Sequence, residues 1–127
     1  MLTVLIRILV ALPTVLFFYK GVNWLFQPEE AAADLGMSLL AGIGASTQIG
    51  DLGSFFLVNS VLMTIGQFRG RTYLLYIPAG FIGVAGIFRA LAAAMGNADF
   101  AAQLIGSEAI LTVILVVAAR HLGSLEK

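Results

Sequence analysis

Four long stretches of apolar residues, joined by short polar segments, constrain this chain more than any other feature of its sequence. They run over residues 2–19, 50–68, 72–95 and 101–119. A helix needs about 20 mostly apolar residues to cross a bilayer, because each residue adds about 1.5 Å. The stretches therefore predict an all-α integral membrane protein in which four helices form an up-down bundle.

The composition agrees with this prediction, because 60% of the 127 residues are hydrophobic and only 11% are charged. Soluble domains are roughly 45–50% apolar and about 25% charged, and a short soluble chain cannot bury so much apolar surface. One domain over residues 1–127 is expected at this length. No small-residue cleavage site follows the first stretch, so we expect a retained span and not a signal peptide.

The segment between the first two stretches predicts an additional element. Residues 27–30 combine a proline with two glutamates, which is typical of a helix start. A short helix over residues 31–40 is the expected continuation. Residues 42–48 are small and polar, which favours either a surface loop or a re-entrant segment over a lipid-facing span.

Basic residues are unequally distributed between the two ends of the four-span arrangement. Five lie at one end and only Lys20 lies at the other, so the positive-inside rule places both termini in the cytoplasm. The expected location is a bacterial inner (plasma) membrane. Aromatic residues are expected to anchor the chain at the two membrane interfaces, Trp24 and Phe26 near the outer end and Tyr73 and Tyr76 near the inner end. The five basic residues are Arg7, Arg69, Arg71, Arg120 and Lys127.

Three ionisable residues fall within or at the edge of the stretches, at similar depths near one end. A charge costs about 2.5–3.5 kcal/mol at the centre of a membrane helix, so we expect Arg89 and Glu108 to form an ion pair. Asp51 is expected nearby as a second carboxylate. The pair would fix helix register or form a ligand or proton site. Alternatively, Arg89 would extend unpaired to the interface.

Uncharged polar residues are expected to extend this group toward the membrane centre. Ser54 shares a helix face with Asp51, Asn59 lies broadly the same way, and Thr112 follows Glu108 by about one turn. The alternative is hydrogen bonding between helices, worth about 0.6 kcal/mol on average. The predicted intramembrane polar cluster, or ligand-binding site, comprises Asp51, Ser54, Asn59, Arg89, Glu108 and Thr112.

The third stretch also carries small residues at spacings that let two helices approach closely. Helix packing is the preferred interpretation, and a substrate groove is the alternative. The partner helix is either internal or from another copy of the chain. The residues concerned are Ala79, Gly80, Gly83, Gly86 and Ala90.

Five short motifs occur in order along nearly the whole chain. They are Trp24–Ala32 followed by Asp34–Gly36, Asp51–Phe56, Pro78–Ala79, Phe88–Leu91 and Glu108. In their order and spacing they resemble the DUF4345 family of small four-helix bacterial membrane proteins, with a looser likeness to DoxX-like proteins. The resemblance implies the four-helix topology and singles out Asp51, Arg89 and Glu108. It implies no activity, because none is assigned to the family.

Several functional classes are disfavoured. The absence of cysteine excludes thiolate catalysis and cysteine-based metal sites, and zero net charge gives no basic face for nucleic acid. No metal-ligand cluster, activated nucleophile or phosphate loop is present. We therefore expect no catalytic residue, metal or cofactor, with a proton-transfer isomerase using Asp51 or Glu108 as the remaining enzymatic alternative.

Two functions remain, with membrane lipids as partners in both. The first is a non-catalytic accessory or scaffolding protein of the inner membrane, which forms a homo-oligomer or binds a protein partner. The second is binding or transport of a small amphiphilic or lipid-like molecule in a polar pocket in the outer half. Only the second requires a pocket of about 300 Å³ or more that reaches the charged residues.

Overall fold

The computed structural model describes all residues from Met1 to Lys127, and every regular element in it is a helix. The predicted all-α fold class is therefore confirmed, and the four long helices are consistent with a four-helix bundle. The elements are α1 (Leu2–Phe26), α2 (Pro28–Asp34), α3 (Ile43–Ile65), a 3₁₀ turn (Thr72–Leu75), α4 (Tyr76–Ala94) and α5 (Ala102–Ser124).

Four helical segments are long and apolar enough to cross a membrane. Only 11–28% of the most apolar 18-residue window of each is buried inside the protein. Soluble proteins rarely expose apolar patches beyond a few hundred Å², so lipid must cover the remaining surface. The chain is a multi-pass membrane protein, whose candidate spans are Leu2–Phe26, Ile43–Ile65, Thr72–Ala94 and Ala102–Ser124.

The largest departure from the predicted boundaries is at the start of α3. Residues 42–48 were expected to be irregular, but the helix already begins at Ile43. Two of their polar side chains have local partners, since the Thr47 hydroxyl donates to the Ile43 carbonyl (3.1 Å) and Gln48 Oε1 accepts from the Leu40 N–H (2.7 Å). The loop prediction was therefore wrong, because small polar residues with local partners are compatible with a helix.

The short helix after α1 also differs from its predicted range of 31–40. Helix α2 spans Pro28–Asp34, with Pro28 at its first turn. Two residues after its end, Gly36 has a φ of +75°, a left-handed conformation that glycine adopts without a steric penalty. The Met37 N–H then bonds the Ala32 carbonyl at 3.1 Å, which closes the helix.

The chain divides into two compact units: unit 1 (Met1–Val10 with Leu62–Lys127) and unit 2 (Ala11–Val61). In unit 1, helices α4 and α5 are antiparallel. A Cβ at Gly83 would lie 3.2 Å from Thr112, and one at Gly86 would lie 3.2 Å from Glu108 Oε2. Gly83 and Gly86 therefore pack against α5 of the same chain, whereas a Cβ at Gly80 would meet no atom of another element within 4 Å. Ala79 is buried and Ala90 is half-buried.

One end of unit 1 collects the first turns of α1, the turn after α3 and the end of α5. Side-chain hydrogen bonds connect these three segments and place the five basic residues of the sequence prediction at the same end of the unit. The bonded pairs are Arg7 Nη1 with the Gln67 carbonyl (2.6 Å), Thr3 Oγ1 with His121 Nε2 (3.0 Å) and the Gly70 N–H with Glu126 Oε1 (2.9 Å).

In unit 2, α1 and α3 approach closely at two glycines. A Cβ at Gly21 would lie 2.9 Å from the Leu57 nitrogen, and one at Gly53 would lie 3.3 Å from the Trp24 Cβ. Trp24 is consequently only 1% exposed. The prediction that Trp24 anchors the chain at the membrane interface was therefore wrong, because its side chain is buried inside the protein. Lys20 is paired with Asp34 at 3.9 Å.

Candidate functional site

The predicted Arg89–Glu108 ion pair is present in unit 1. Arg89 lies near the end of α4, Glu108 lies near the start of α5, and Arg89 Nε donates to Glu108 Oε1 at 2.9 Å. The side chains are 36% and 16% exposed, respectively. Glu108 is thus mostly buried and Arg89 is about one-third exposed, and the charge-assisted hydrogen bond between them offsets part of the desolvation of the carboxylate.

The turn between α4 and α5 brings the two residues together. Helix α4 ends at Ala94 and is followed, two residues on, by Gly96, which has a φ of +75°. The Gly96 N–H donates to the Ala93 carbonyl (3.0 Å) and the Asn97 N–H donates to the Ala92 carbonyl (2.9 Å). This glycine-dependent cap satisfies the last carbonyls and reverses the chain direction, so the first turns of α5 face the last turns of α4.

The ion pair leaves hydrogen-bonding capacity unused on both partners. Only the Nε of Arg89 is hydrogen-bonded within the protein. Glu108 Oε2 is buried without a partner, and the Thr112 hydroxyl donates to the Glu108 backbone carbonyl (2.7 Å) instead of the carboxylate. An arginine offers five N–H donors, so its terminal nitrogens remain available to a ligand.

A groove of about 320 Å³ lies beside the pair and includes Arg89 in its lining. Its volume falls at the lower end of the range for small-molecule sites, about 300–1,000 Å³. Phe88 supplies an aromatic wall, and Asp99 adds a second charge. The remaining lining residues are small and apolar, namely Ala92, Ala98 and Ala101. The groove therefore combines one cation, one carboxylate and an apolar floor.

The predicted cluster residues of α3 lie in unit 2. Asp51 and Ser54 are exposed, whereas Asn59 is only 3% exposed. Asn59 follows Asp51 by eight residues, which rotates it by about 80° around the helix. These three residues therefore do not form a single polar stripe.

The small polar side chains bond within their own helices. Ser54 Oγ donates to the Asp51 carbonyl (3.1 Å) and Asn59 Nδ2 donates to the Phe55 carbonyl (2.7 Å). Asn59 Oδ1 is buried without a partner. The side-chain hydrogen bonds of Ser54, Asn59 and Thr112 therefore run to carbonyls of their own helices and do not connect neighbouring helices.

Asp99 is the groove residue that sequence reasoning missed. It falls between the predicted stretches 72–95 and 101–119, outside the predicted polar cluster. Two features of the sequence could have indicated a place at the site: Asp99 lies about ten residues from both Arg89 and Glu108, and small alanines lie close to it in sequence. Comparison with family models, with curated proteins and with solved structures finds no match for this chain.

Proposed function

We propose that this chain is a non-catalytic multi-pass protein of a bacterial inner membrane that binds a small amphiphile in the Arg89 groove. The observation that carries the proposal is the coincidence of a groove of about 320 Å³ with an arginine whose terminal nitrogens have no partner in the protein. The apolar wall of the groove contacts the hydrocarbon chain of the amphiphile, and the Arg89 guanidinium donates hydrogen bonds to its polar head group.

The charges favour a head group with an anionic component. A guanidinium binds carboxylate or phosphate oxygens through paired N–H donors. Glu108 holds the Arg89 side chain by its Nε, so the ordering cost is already partly met before a ligand arrives. Asp99 lines the same groove and opposes a purely anionic head, but accepts a hydrogen bond from a hydroxyl or amine on the same head group.

The orientation of the chain completes the proposal. The basic end of unit 1 holds Arg7, Arg69, Arg71, Arg120 and Lys127, which by the positive-inside rule supports cytoplasmic termini. The Arg89 groove then lies in the outer half of the membrane. Such a position suits a molecule that enters from the outer leaflet and is bound or moved there.

Ligand titration in a neutral detergent tests the proposal. A long-chain alkyl carboxylate and an alkyl phosphate should each raise the thermal unfolding temperature, and an uncharged alcohol of equal chain length should not. Arg89→Gln should weaken binding by at least about tenfold, because a hydrogen bond to a charged group contributes about 1.5–3 kcal/mol.

Arg69→Gln is the matched control, since Arg69 is exposed and lies outside the groove lining. It removes the same charge and should leave the titration unchanged. Equal binding of the alcohol and the charged amphiphiles, or equal loss in both variants, would contradict a specific head-group site at Arg89.

An accessory or scaffolding role is the second candidate function. Gly80 on α4 is exposed and has no neighbour within 4 Å, which leaves space for a helix of a partner or of a second copy. Gly80→Leu would then disrupt an assembly on size-exclusion chromatography without changing amphiphile binding. An unchanged elution volume, with binding abolished by Arg89→Gln, favours the binding function.

We also propose membership of the DUF4345 family. Its support is the order and spacing of the sequence motifs, two of which contain the partners of the Arg89–Glu108 pair. The proposal concerns ancestry and topology only.

A further inference from the structure

A second groove, of about 360 Å³, lies at the basic end of unit 1. It is formed by the 3₁₀ turn and first residues of α4 on one side and by the end of α5 on the other. The side chains that matter for its chemistry are Tyr73, Tyr76, Arg120 and Lys127. None of these four belongs to the predicted polar cluster or to the Arg89 groove.

The two cations of this groove are free to bind an external anion. Arg120 and Lys127 are both exposed, and neither has an ion-pair or hydrogen-bond partner in the protein. The nearby Glu126 accepts a hydrogen bond from the Gly70 N–H at 2.9 Å and is not bound to either cation. The groove lining therefore holds two cations and no acidic side chain.

The groove also lies at the boundary of the membrane spans. Thr72 begins one candidate span and Ser124 ends another, and both residues line the groove. Tyr73 and Tyr76 are 63% and 47% exposed, and tyrosine is enriched at the level of lipid head groups. Phosphate groups of phospholipids occupy this level of the bilayer.

We propose that this groove binds the phosphate-containing head group of an anionic phospholipid. Arg120 and Lys127 contact the phosphate, as basic pockets between membrane helices do on the cytoplasmic side. The phenol hydroxyls of Tyr73 and Tyr76 donate further hydrogen bonds to it. The Ser124 hydroxyl contributes no donor, because it already donates to the His121 carbonyl at 2.7 Å.

Native mass spectrometry with defined lipids tests this assignment. Protein in neutral detergent is titrated with phosphatidylglycerol and phosphatidylcholine, and the lipid-bound fractions are compared. The wild-type chain should prefer phosphatidylglycerol by about five- to thirtyfold, as expected for two cations at a membrane surface. The double variant Arg120→Gln/Lys127→Gln should lose the preference, and Tyr73→Phe/Tyr76→Phe should reduce it.

The matched control is Arg69→Gln/Arg71→Gln, which removes two cations from the same end but outside the groove lining. Retention of the preference in the control and its loss in the groove variant supports the assignment. Equal loss in both variants would overturn it in favour of diffuse surface charge. Competition by soluble glycerol phosphate would likewise overturn it, since the occupant would then be a free anion.

The assignment is independent of the proposed amphiphile site. Arg89→Gln should leave the phosphatidylglycerol preference unchanged, and Arg120→Gln/Lys127→Gln should leave the alkyl carboxylate titration unchanged. Each site can therefore fail without affecting the test of the other. Circular dichroism of each variant confirms that the helices remain folded, and both single variants, Arg120→Gln and Lys127→Gln, should show intermediate preferences.

Discussion

Glu108 is the more buried partner of the Arg89–Glu108 pair, and its burial determines how strongly each substitution in the pair should affect stability. Its Oε2 is buried without a partner, and its only side-chain hydrogen bond comes from Arg89 Nε. Arg89 is the more exposed member, at 36% against 16% for the two side chains. Loss of the two partners should therefore have unequal consequences.

A double-mutant cycle measures this asymmetry. Arg89→Ala should destabilise the protein by about 1–3 kcal/mol, because it leaves a buried carboxylate unpaired. Glu108→Ala should cost less, since the long Arg89 side chain can extend toward the interface. The double variant should recover part of the Arg89→Ala loss, as no buried carboxylate remains. Strictly additive losses in thermal unfolding would show that the pair contributes no coupling.

At the scale of the helices, single glycines allow neighbouring helices to pack closely against one another. Between membrane helices there is little hydrophobic driving force, so packing depends on small residues that let backbones approach. Gly21 faces the Leu57 backbone in unit 2, and Gly83 and Gly86 face α5 in unit 1. At other helical glycines, such as Gly50 and Gly80, an added Cβ would meet no atom of another element within 4 Å.

Alanine substitution distinguishes these two classes of glycine. Gly21→Ala would place a Cβ 2.9 Å from the Leu57 nitrogen, and should destabilise by about 1–3 kcal/mol because a backbone cannot move aside cheaply. Gly50→Ala, in open space on α3, should instead stabilise by about 0.5–1 kcal/mol through helix propensity. Equal shifts in unfolding temperature would mean that the α1–α3 approach is looser than the structure indicates.

At the scale of the whole molecule, the sequence predicts the number and approximate position of the spans well. Length and apolarity suffice for this, because a bilayer imposes both on any helix that crosses it. The Arg89–Glu108 pair was also predictable, since two opposite charges at similar depth in consecutive spans have few alternatives to pairing.

The remaining features depend on tertiary packing or on weak local preferences. The interior position of Trp24 depends on tertiary packing, including the close approach of α1 to Gly53 of α3, which a statistical preference for interfaces does not capture. Residues 42–48 are compatible with either a loop or a helix until the partners of Thr47 and Gln48 are known. The Arg89 groove is lined by residues of α4 and of the link between α4 and α5, including Ala92, Ala98, Asp99 and Ala101. These residue types form no recognisable sequence motif.

The absence of cysteine in the sequence makes the orientation directly measurable. Single substitutions Asn97→Cys and Glu30→Cys should react in intact cells with a membrane-impermeant maleimide. Arg71→Cys and Lys127→Cys should react only after permeabilisation if the proposed orientation, with the basic end in the cytoplasm, holds. All four positions are exposed in the structure, so protection reports on the side of the membrane. The reversed labelling pattern would place the Arg89 groove in the inner half.

The amphiphile-binding proposal is tested most directly by native mass spectrometry of the protein purified in gentle detergent or lipid nanodiscs. The wild-type chain and Arg69→Gln should each retain a small anionic amphiphile in addition to any phospholipid bound at the groove of Arg120 and Lys127, and Arg89→Gln should release that amphiphile. A wild-type chain without such an amphiphile, or an amphiphile retained equally by Arg89→Gln, would contradict the proposal and leave the Arg89–Glu108 pair as a contact that only fixes the register of α4 and α5.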